Sequence, residues 1–246
     1  MPDQTKRICL WSGPRNVSTA LMYSFAQRSD TRVFDEPLYA HYLHHTDADE
    51  YHPAAEQILA TMENDGDKVV EMMMAPHENN VVFFKHMTHH LFDLKLDFLK
   101  DCVNVILTRD PREMLVSFDK VIPNPSMQDV GYEAHLMLMD HLERIGQKAI
   151  VLDSKEILMD PETALTKFCN AIGISFEESM LSWEAGPISE DGIWAEYWYD
   201  NVHKSTGFQP YKEKEVDFPE RLEPLLEKCN KIYATLKESS NSVTSS

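Results

Sequence analysis

The first segment whose residues could do chemistry is 12–19, which reads SGPRNVST. It lies between an apolar run, residues 6–11, and a helical pattern of apolar residues. A loop that leads into a helix presents free backbone N–H groups and the positive end of the helix dipole, and both favour a bound phosphate or sulfate. Arg15 would add a fork of donors, and Ser18 and Thr19 would add hydroxyls. The segment therefore predicts an anion-binding loop.

The loop lacks the GxxxxGK[ST] pattern of nucleoside triphosphatases, because Val17 stands where a lysine would precede Ser18. A kinase or nucleotide hydrolase also needs ligands for Mg²⁺, and the sequence offers no evident set. Such an enzyme is the alternative hypothesis, together with a nucleotide-binding module without catalysis. Taken alone, the loop could equally be the capped start of an ordinary first helix.

A second candidate anion site follows another apolar run, residues 103–107. Arg109 comes two residues after that run, and Ser117 lies about two helical turns further along the chain. An arginine at a strand end and a serine on the next helix can hold a phosphate from two sides. The alternative is that Arg109 and Arg112 pair with Asp110 or Glu113 at the surface.

A carboxylate closes a third short run, residues 31–34, where the chain continues as Asp35 and Glu36 before a proline. Ligands of open parallel sheets bind beyond the carboxyl ends of the strands, so a carboxylate here would reach the same cleft as the two anion sites. The alternative is an acid in a solvated turn.

Strand-like and helix-like segments alternate along the chain, which indicates an α/β fold of three layers: a central parallel sheet with helices on both faces. We predict one domain over residues 1–238 and a disordered polar tail over residues 239–246. The predicted strands are residues 6–11, 31–34, 81–85, 103–107 and 148–152. The predicted helices include residues 91–99, 127–146, 161–172 and 220–237.

The chain of 246 residues carries 23 lysines and arginines against 41 aspartates and glutamates, so its formal net charge is −18. Binding of nucleic acids depends on neutralising phosphates, so this balance disfavours nucleic acids, other polyanions and anionic membrane surfaces as partners. A compact anion can still bind in one local basic pocket.

The histidines His86, His89 and His90 fall at a spacing seen in metal sites, but no cysteine or paired carboxylate completes a zinc set, so we predict no metal.

The four cysteines are spread without a CxxC pair, which fits neither a zinc framework nor a disulfide scaffold and is typical of a reducing compartment. The segment MPDQTKRICLW lacks the apolar stretch of a signal peptide. No run approaches the roughly 20 apolar residues that a membrane span requires. We therefore expect a cytoplasmic location and no membrane association.

Together these motifs resemble the sulfotransferase family that uses 3′-phosphoadenosine 5′-phosphosulfate. The resemblance runs from about Arg7 to Phe208 and implies a P-loop-like nucleotide-binding fold. The segment PRNVST is similar to the family loop that holds the 5′-phosphosulfate, and Arg109 and Ser117 are similar to the pair that holds the 3′-phosphate. The loop residues that the resemblance implies in donor binding are Arg15, Asn16, Val17, Ser18 and Thr19.

Further matches carry the implied catalytic groups. Glu36, in the sequence EPL, is similar to the proposed base of carbohydrate sulfotransferases, and Lys85 is similar to a lysine that ends a family strand in the donor pocket. His86 is the alternative base, because cytosolic relatives use a histidine just past that strand. Lys204 and Ser205, in the segment HKSTGF, are similar to the loop that closes over the 3′-phosphate.

The sequence departs from the family pattern in three places. Val17 stands where the family has a glycine, which predicts a less tightly wound loop, and Ala20 stands where cytosolic relatives have an adenine-stacking tryptophan. His86 and His89 are both out of clean register with the histidine base. The resemblance implies sulfuryl transfer without a metal to a hydroxyl or amine, and the negative charge of the chain favours a small neutral or cationic acceptor.

Overall fold

The computed structural model describes residues 5–213 and 217–243. Its sheet is wholly parallel and has the strand order β2-β3-β1-β4-β5. The central strands are nearly continuous apolar runs, as expected for strands that are covered on both faces. The strands are Lys6–Ser12 (β1), Thr31–Asp35 (β2), Val81–Met87 (β3), Val103–Thr108 (β4) and Ile150–Asp153 (β5).

Helices connect and cover the strands, with short 3₁₀ turns between several of them. They are Ser18–Ala26 (α1), Tyr39–His45 (α2), Ala55–Thr61 (α3), Gly66–Met74 (α4), Pro111–Phe118 (α5), Met127–Val130 (α6), Tyr132–Arg144 (α7), Ser154–Met159 (α8), Pro161–Ala171 (α9), Ala195–Trp198 (α10), Asp200–His203 (α11) and Glu223–Val243 (α12).

Alternating side chains of β1 enter two separate apolar cores, one on each face of the sheet. Ile8 and Leu10 belong to the core that contains α1 and α9. Cys9 and Trp11 belong to the core that contains α5, α7 and α12. Because successive residues of a strand point to opposite faces, a central strand that is apolar throughout needs both layers. The predicted fold, three layers around a parallel sheet, is confirmed.

The strand order places β1 between β3 and β4, so the chain leaves β1 towards one side of the sheet and later returns to its other side. A crevice forms beyond the carboxyl end of the strands at such a reversal, and ligands of open α/β sheets bind there. The ends of β1, β2, β3 and β4 therefore define one cleft.

Two predicted helices differ from the structure. The predicted helix over residues 127–146 is divided into α6 and α7 at Gly131, whose φ of 74° a right-handed helix does not allow. The helix predicted over residues 91–99 is wrong: the segment contains a turn at Asp93, with φ 48°, and a 3₁₀ turn over Asp97–Asp101. Its apolar residues pack individually against the core under α4, so their spacing does not reflect a helix.

The last helix, α12, continues to Val243 and therefore includes residues 239–243 of the predicted polar tail. Residues 244–246 of that tail lie outside the described residues.

Candidate functional site

The segment after β1 enters α1 with exposed hydrogen-bonding capacity. Arg15 adopts a φ of 53°, and Val17, with φ −90°, precedes the helix and makes no side-chain capping hydrogen bond. The first N–H groups of α1 are therefore without a side-chain acceptor, and the residues around them line the cleft. The left-handed position falls on Arg15 rather than on Val17, so the loop does not need a glycine at Val17.

The side chain of Asn16 binds this loop to the part of the sheet that contains β4 and β5. Its side-chain amide donates to the carbonyl oxygen of Leu107 at 2.8 Å, and its carbonyl oxygen accepts from the backbone N–H of Val17 at 2.9 Å and from the hydroxyl of Ser154. The amide group of Asn16 thus holds the loop against the ends of β4 and β5. The polar atoms of this side chain are already hydrogen-bonded within the protein, so the side chain positions the anion site.

The two predicted anion sites lie side by side. The Nε of Arg15 donates to the hydroxyl of Ser117 at 3.1 Å, and Arg109 donates to the carbonyl oxygen of Arg15. Arg109 also forms an ion pair with Glu113 at 3.1 Å, which is the surface pairing that the sequence left as an alternative. Burial, with a contribution from Arg109, lowers the pKa of Arg15. Two guanidinium groups held this close favour an anion between them.

The centre of the cleft contains a buried lysine shared by two carboxylates. Lys85 donates to Asp35 at 2.8 Å, to Glu36 and to the hydroxyl of Tyr199 at 2.6 Å, and it is 1% exposed. Asp35 and Lys85 are neighbours in the register of β2 and β3, so their side chains leave the same face of the sheet. Tyr199 donates to both oxygens of Asp35 at 2.8 Å and accepts from Trp194 at 3.0 Å.

This cluster holds two carboxylates and one ammonium group, and the excess of carboxylates affects the pKa of Glu36. Burial raises the pKa of the Glu36 carboxyl above its ordinary value; Lys85 opposes this shift and Asp35 adds to it. For Lys85, burial favours the neutral amine, but the two carboxylates together raise the pKa of the ammonium group. Glu36 also has a left-handed backbone, with φ 44°, and its N–H donates to the carbonyl of Lys85 at 2.8 Å.

Replacing Glu36 by glutamine is expected to raise stability at neutral pH. A carboxyl whose pKa is raised on folding contributes stability that is fully present below the unfolded value, 4.5, and is lost as pH rises through the folded value. The free energy of unfolding of Glu36→Gln, measured by urea denaturation, should exceed that of the wild type at pH 7.5, and the difference should shrink towards pH 5.

The matched control is Glu113→Gln, with the opposite sign. Hydrogen bonds from Tyr211 and Arg109 outweigh partial burial and lower the pKa of Glu113. This variant should lose stability at pH 7.5 and regain it, relative to the wild type, as pH falls below 4.5. Equal destabilisation of both variants at pH 7.5 would contradict the inferred electrostatics of the lysine cluster.

The structure does not bring His86 to the cleft. It follows Lys85 in β3, so its side chain points to the opposite face, where its ring stacks on Trp11 with centroids 4.3 Å apart. Burial, with a contribution from Lys85, lowers the pKa of His86 to about 3. The sequence predicted His86 near Lys85 because the two residues are adjacent. Successive side chains of a strand point to opposite faces of the sheet, so the two side chains are separated.

Lys204 and Ser205 also lie away from the cleft. The ammonium group of Lys204 is exposed and pairs with Asp200, one helical turn earlier. The hydroxyl of Ser205 is buried, donates to the carbonyl of Val202 at 2.8 Å and accepts from Trp183 at 3.3 Å. Both polar groups bond to residues that do not line the cleft, so this structure gives neither a contact with the predicted anion sites.

The other end of the cleft is lined by aromatic side chains that the sequence did not single out as a group. Their positions depend on how irregular segments fold back over the sheet, and no local spacing signals that. From the sequence, Trp183, Trp194, Trp198 and Tyr199 are interpreted as packing residues, with the alternative that one of them faces a ligand. Besides the loop before α1 and Glu36, Lys85 and Tyr199, the residues that line the cleft are Tyr39, Tyr42, His52, Met87, His89, His90, Phe118, Asp129, Trp194 and Trp198.

Within residues 5–213 and 217–243, no group of three or more histidine, cysteine, aspartate or glutamate side chains is arranged to hold a metal ion. Among the helices of that same part of the chain, none combines the length and the apolar composition needed to cross a membrane.

Two curated relatives from Arabidopsis thaliana align with most of the chain. Branched-chain-amino-acid aminotransferase-like protein 2 is 40% identical over 229 residues, which are 92% of this chain and 40% of that protein. Branched-chain-amino-acid aminotransferase-like protein 1 is 41% identical over 92% of this chain and 41% of its own length. The chain thus spans about two fifths of the length of these relatives.

Solved structures show the same fold. The sulfotransferase domain of the Synechococcus PCC 7002 olefin synthase superposes with a TM-score of 0.55 at 16% identity, covering 92% of this chain and 96% of that domain. The sulfotransferase domain from the curacin biosynthetic pathway gives 0.55 at 14% identity, covering 95% and 98%. The sequence model of the sulfotransferase domain matches residues 6–239. With nearly the whole chain matched, the protein belongs to the sulfotransferase family.

Proposed function

We propose that this protein transfers a sulfuryl group from 3′-phosphoadenosine 5′-phosphosulfate to a hydroxyl or amine of a small neutral or cationic acceptor. The observation that carries the proposal is that the uncapped start of α1, Arg15 and the Lys85–Glu36 pair line one cleft, while Arg109 and Ser117 are hydrogen-bonded to Arg15 beside it. An anion site next to a buried base with a raised pKa is what in-line sulfuryl transfer requires.

Arg15 and the N–H groups of α1 are assigned to the 5′-phosphosulfate. These donors are fixed by the protein before the ligand arrives, so they stabilise the charge that grows on the leaving oxygen without reorganisation. Arg109 and Ser117 are assigned to the 3′-phosphate. Lys85 is assigned to the transferring group itself, because it lines the cleft beside Glu36 and the loop before α1.

Glu36 is assigned as the general base. It accepts the proton from the acceptor hydroxyl while the acceptor oxygen bonds to sulfur and the bond from sulfur to the bridging oxygen of the donor breaks. Adenosine 3′,5′-bisphosphate leaves with the bonding electrons. The ordinary pKa of a glutamate makes it a weak base for an alcohol, and the raised pKa of Glu36 brings it closer to the useful range.

Two measurements test the proposal. Calorimetric titration should give tight binding of adenosine 3′,5′-bisphosphate and weak binding of ATP with Mg²⁺; the reverse preference would support a kinase or nucleotide hydrolase instead. Labelled 3′-phosphoadenosine 5′-phosphosulfate, incubated with a set of small alcohols and amines, should yield a sulfated product. Tight nucleotide binding with no transfer to any acceptor would favour a binding module without catalysis.

His86 is expected to contribute little to turnover, because its side chain faces away from the cleft. His86→Ala should lower kcat by less than about tenfold, below the contribution of a positioned base. His86→Phe, which preserves the stacking on Trp11, should fold normally and separates packing from chemistry. An inactive His86→Phe with intact nucleotide binding, together with an active Glu36→Gln, would show that the base is misassigned.

A further inference from the structure

The aromatic end of the cleft has a feature that the proposed reaction does not use, namely the carboxylate of Asp129. This carboxylate accepts hydrogen bonds from the hydroxyl of Tyr51 at 3.2 Å and from the backbone N–H and the hydroxyl of Ser126, both at 2.7 Å. None of the ion pairs found in residues 5–213 and 217–243 includes Asp129. It is therefore a carboxylate on the cleft wall without a cationic partner in the described chain.

The walls next to Asp129 are aromatic and buried. Tyr39 and Tyr42 are 3% and 1% exposed, and both stack on the ring of His90, with centroids 4.9 and 4.8 Å apart. Trp194 meets Tyr39 edge to face at 5.0 Å. Aromatic rings attract cations through their quadrupole, and such rings around a carboxylate make up a common environment for organic ammonium groups.

The histidines of this wall do not neutralise Asp129. Burial lowers the pKa of His52 and of His90, and it lowers the pKa of His89 to about 3. The Asp129 carboxylate opposes the shifts of His52 and His89 but does not outweigh burial. These rings are neutral at physiological pH. The Nδ1 of His90, which is buried, also has no hydrogen-bond partner within the described residues and lies on the same wall.

Arg15 and Lys85 are cations that line the cleft, and neither pairs with Asp129. Arg15 belongs to the loop before α1, and Lys85 is already shared by two carboxylates. A bound donor would add several negative charges beside them. An acceptor with a positive charge would therefore be attracted both by Asp129 and by the donor, whereas an anionic acceptor would be repelled by both.

We propose that the acceptor is a small alcohol with an ammonium group, which binds with its cationic nitrogen between the aromatic wall and Asp129 and its hydroxyl towards Glu36. This inference rests on the proposed function, because the hydroxyl is placed at the base of that reaction. It narrows the acceptor from neutral or cationic molecules to cationic ones. Tyr39, which follows Glu36 by three residues and bonds to His52 at 2.7 Å, links the base to the aromatic wall.

The test compares choline with 3,3-dimethylbutan-1-ol, which has the same shape but carries carbon in place of the charged nitrogen. Each is titrated calorimetrically into the protein saturated with adenosine 3′,5′-bisphosphate, and again without the nucleotide. Choline should bind at least about tenfold more tightly than the neutral alcohol, the scale of a partly desolvated cation on aromatic rings and a carboxylate. Asp129→Asn should remove most of that preference.

Glu133→Gln is the matched control, because it removes the same charge from an exposed position at the start of α7, outside the residues that line the cleft. Its preference for choline should match that of the wild type. Equal binding of both alcohols, no binding of either, or an unchanged preference in Asp129→Asn would overturn the cation site. Failure of the nucleotide to bind would instead refute the proposed donor, and the titrations without nucleotide would still decide whether the cation site exists.

Discussion

Glu36→Gln is expected to lower kcat by about 10²–10⁴-fold, the contribution of a positioned general base. Glutamine has nearly the same shape and can still accept a hydrogen bond from Lys85, but it cannot take a proton from the acceptor. The affinity for adenosine 3′,5′-bisphosphate should be nearly unchanged, because the carboxylate is assigned to the acceptor and not to the nucleotide. Steady-state kinetics and a nucleotide titration on the same preparation measure both quantities.

The matched control is Glu113→Gln, at the arginine cluster. Glu113 pairs with Arg109 and accepts from Tyr211 at 2.6 Å, so its replacement perturbs nucleotide binding rather than proton transfer. It should change the nucleotide affinity more than kcat, the reverse of Glu36→Gln. If Glu36→Gln keeps full turnover, Glu36 is not the base, although the family membership stands.

Arg109→Ala is expected to weaken adenosine 3′,5′-bisphosphate by about 2–4 kcal/mol, the cost of losing one partner of a desolvated charge pair. Adenosine 5′-phosphosulfate lacks the 3′-phosphate, so its affinity should barely change. Arg109 also donates to the carbonyl oxygen of Arg15, and general damage to the loop would weaken both ligands. Calorimetric titration of both ligands into both proteins separates the two effects.

Arg112→Ala provides a comparison three residues further on. Its side chain is 54% exposed and lies 3.8 Å from Glu223, remote from Arg15. Arg112 lies in the first turn of α5, three residues after Arg109, and its replacement removes the same charge, so it reports any long-range electrostatic effect. Both nucleotides should bind to it as to the wild type. Equal losses of both ligands in Arg109→Ala would refute the assignment of the 3′-phosphate site.

The sheet and half of the cleft could be predicted because their signals are local. Buried parallel strands are short apolar runs, and the residues that follow them must meet at one edge of the sheet. Arg15, Glu36, Lys85 and Arg109 each come within three residues of a strand end; the first three line the cleft, and Arg109 bonds to Arg15 beside it. The predicted helix over residues 91–99 failed because apolar residues in an irregular segment imitate helical spacing.

The other half depends on contacts between residues far apart in the chain. Tyr199 reaches Lys85 across 114 positions, and Asp35 is paired with that lysine by a strand register that the sequence does not reveal. His86 shows the converse, because a residue adjacent in sequence to the central lysine lies on the other face of the sheet. Asp129 lines the cleft because of how α6 packs against the sheet, and no local pattern in the sequence predicts that placement.

The left-handed backbone at Arg15 and Glu36 has a consequence for redesign of this fold. Glycine adopts such φ values without steric cost, whereas other side chains there cost on the order of 1–3 kcal/mol. A procedure that chose residues for stability alone on this backbone would therefore place glycine or asparagine at both positions. Those choices would delete the guanidinium and the carboxylate together. Sequences optimised only for thermal stability should thus lose activity through substitutions at these two positions, unless Arg15 and Glu36 are held fixed.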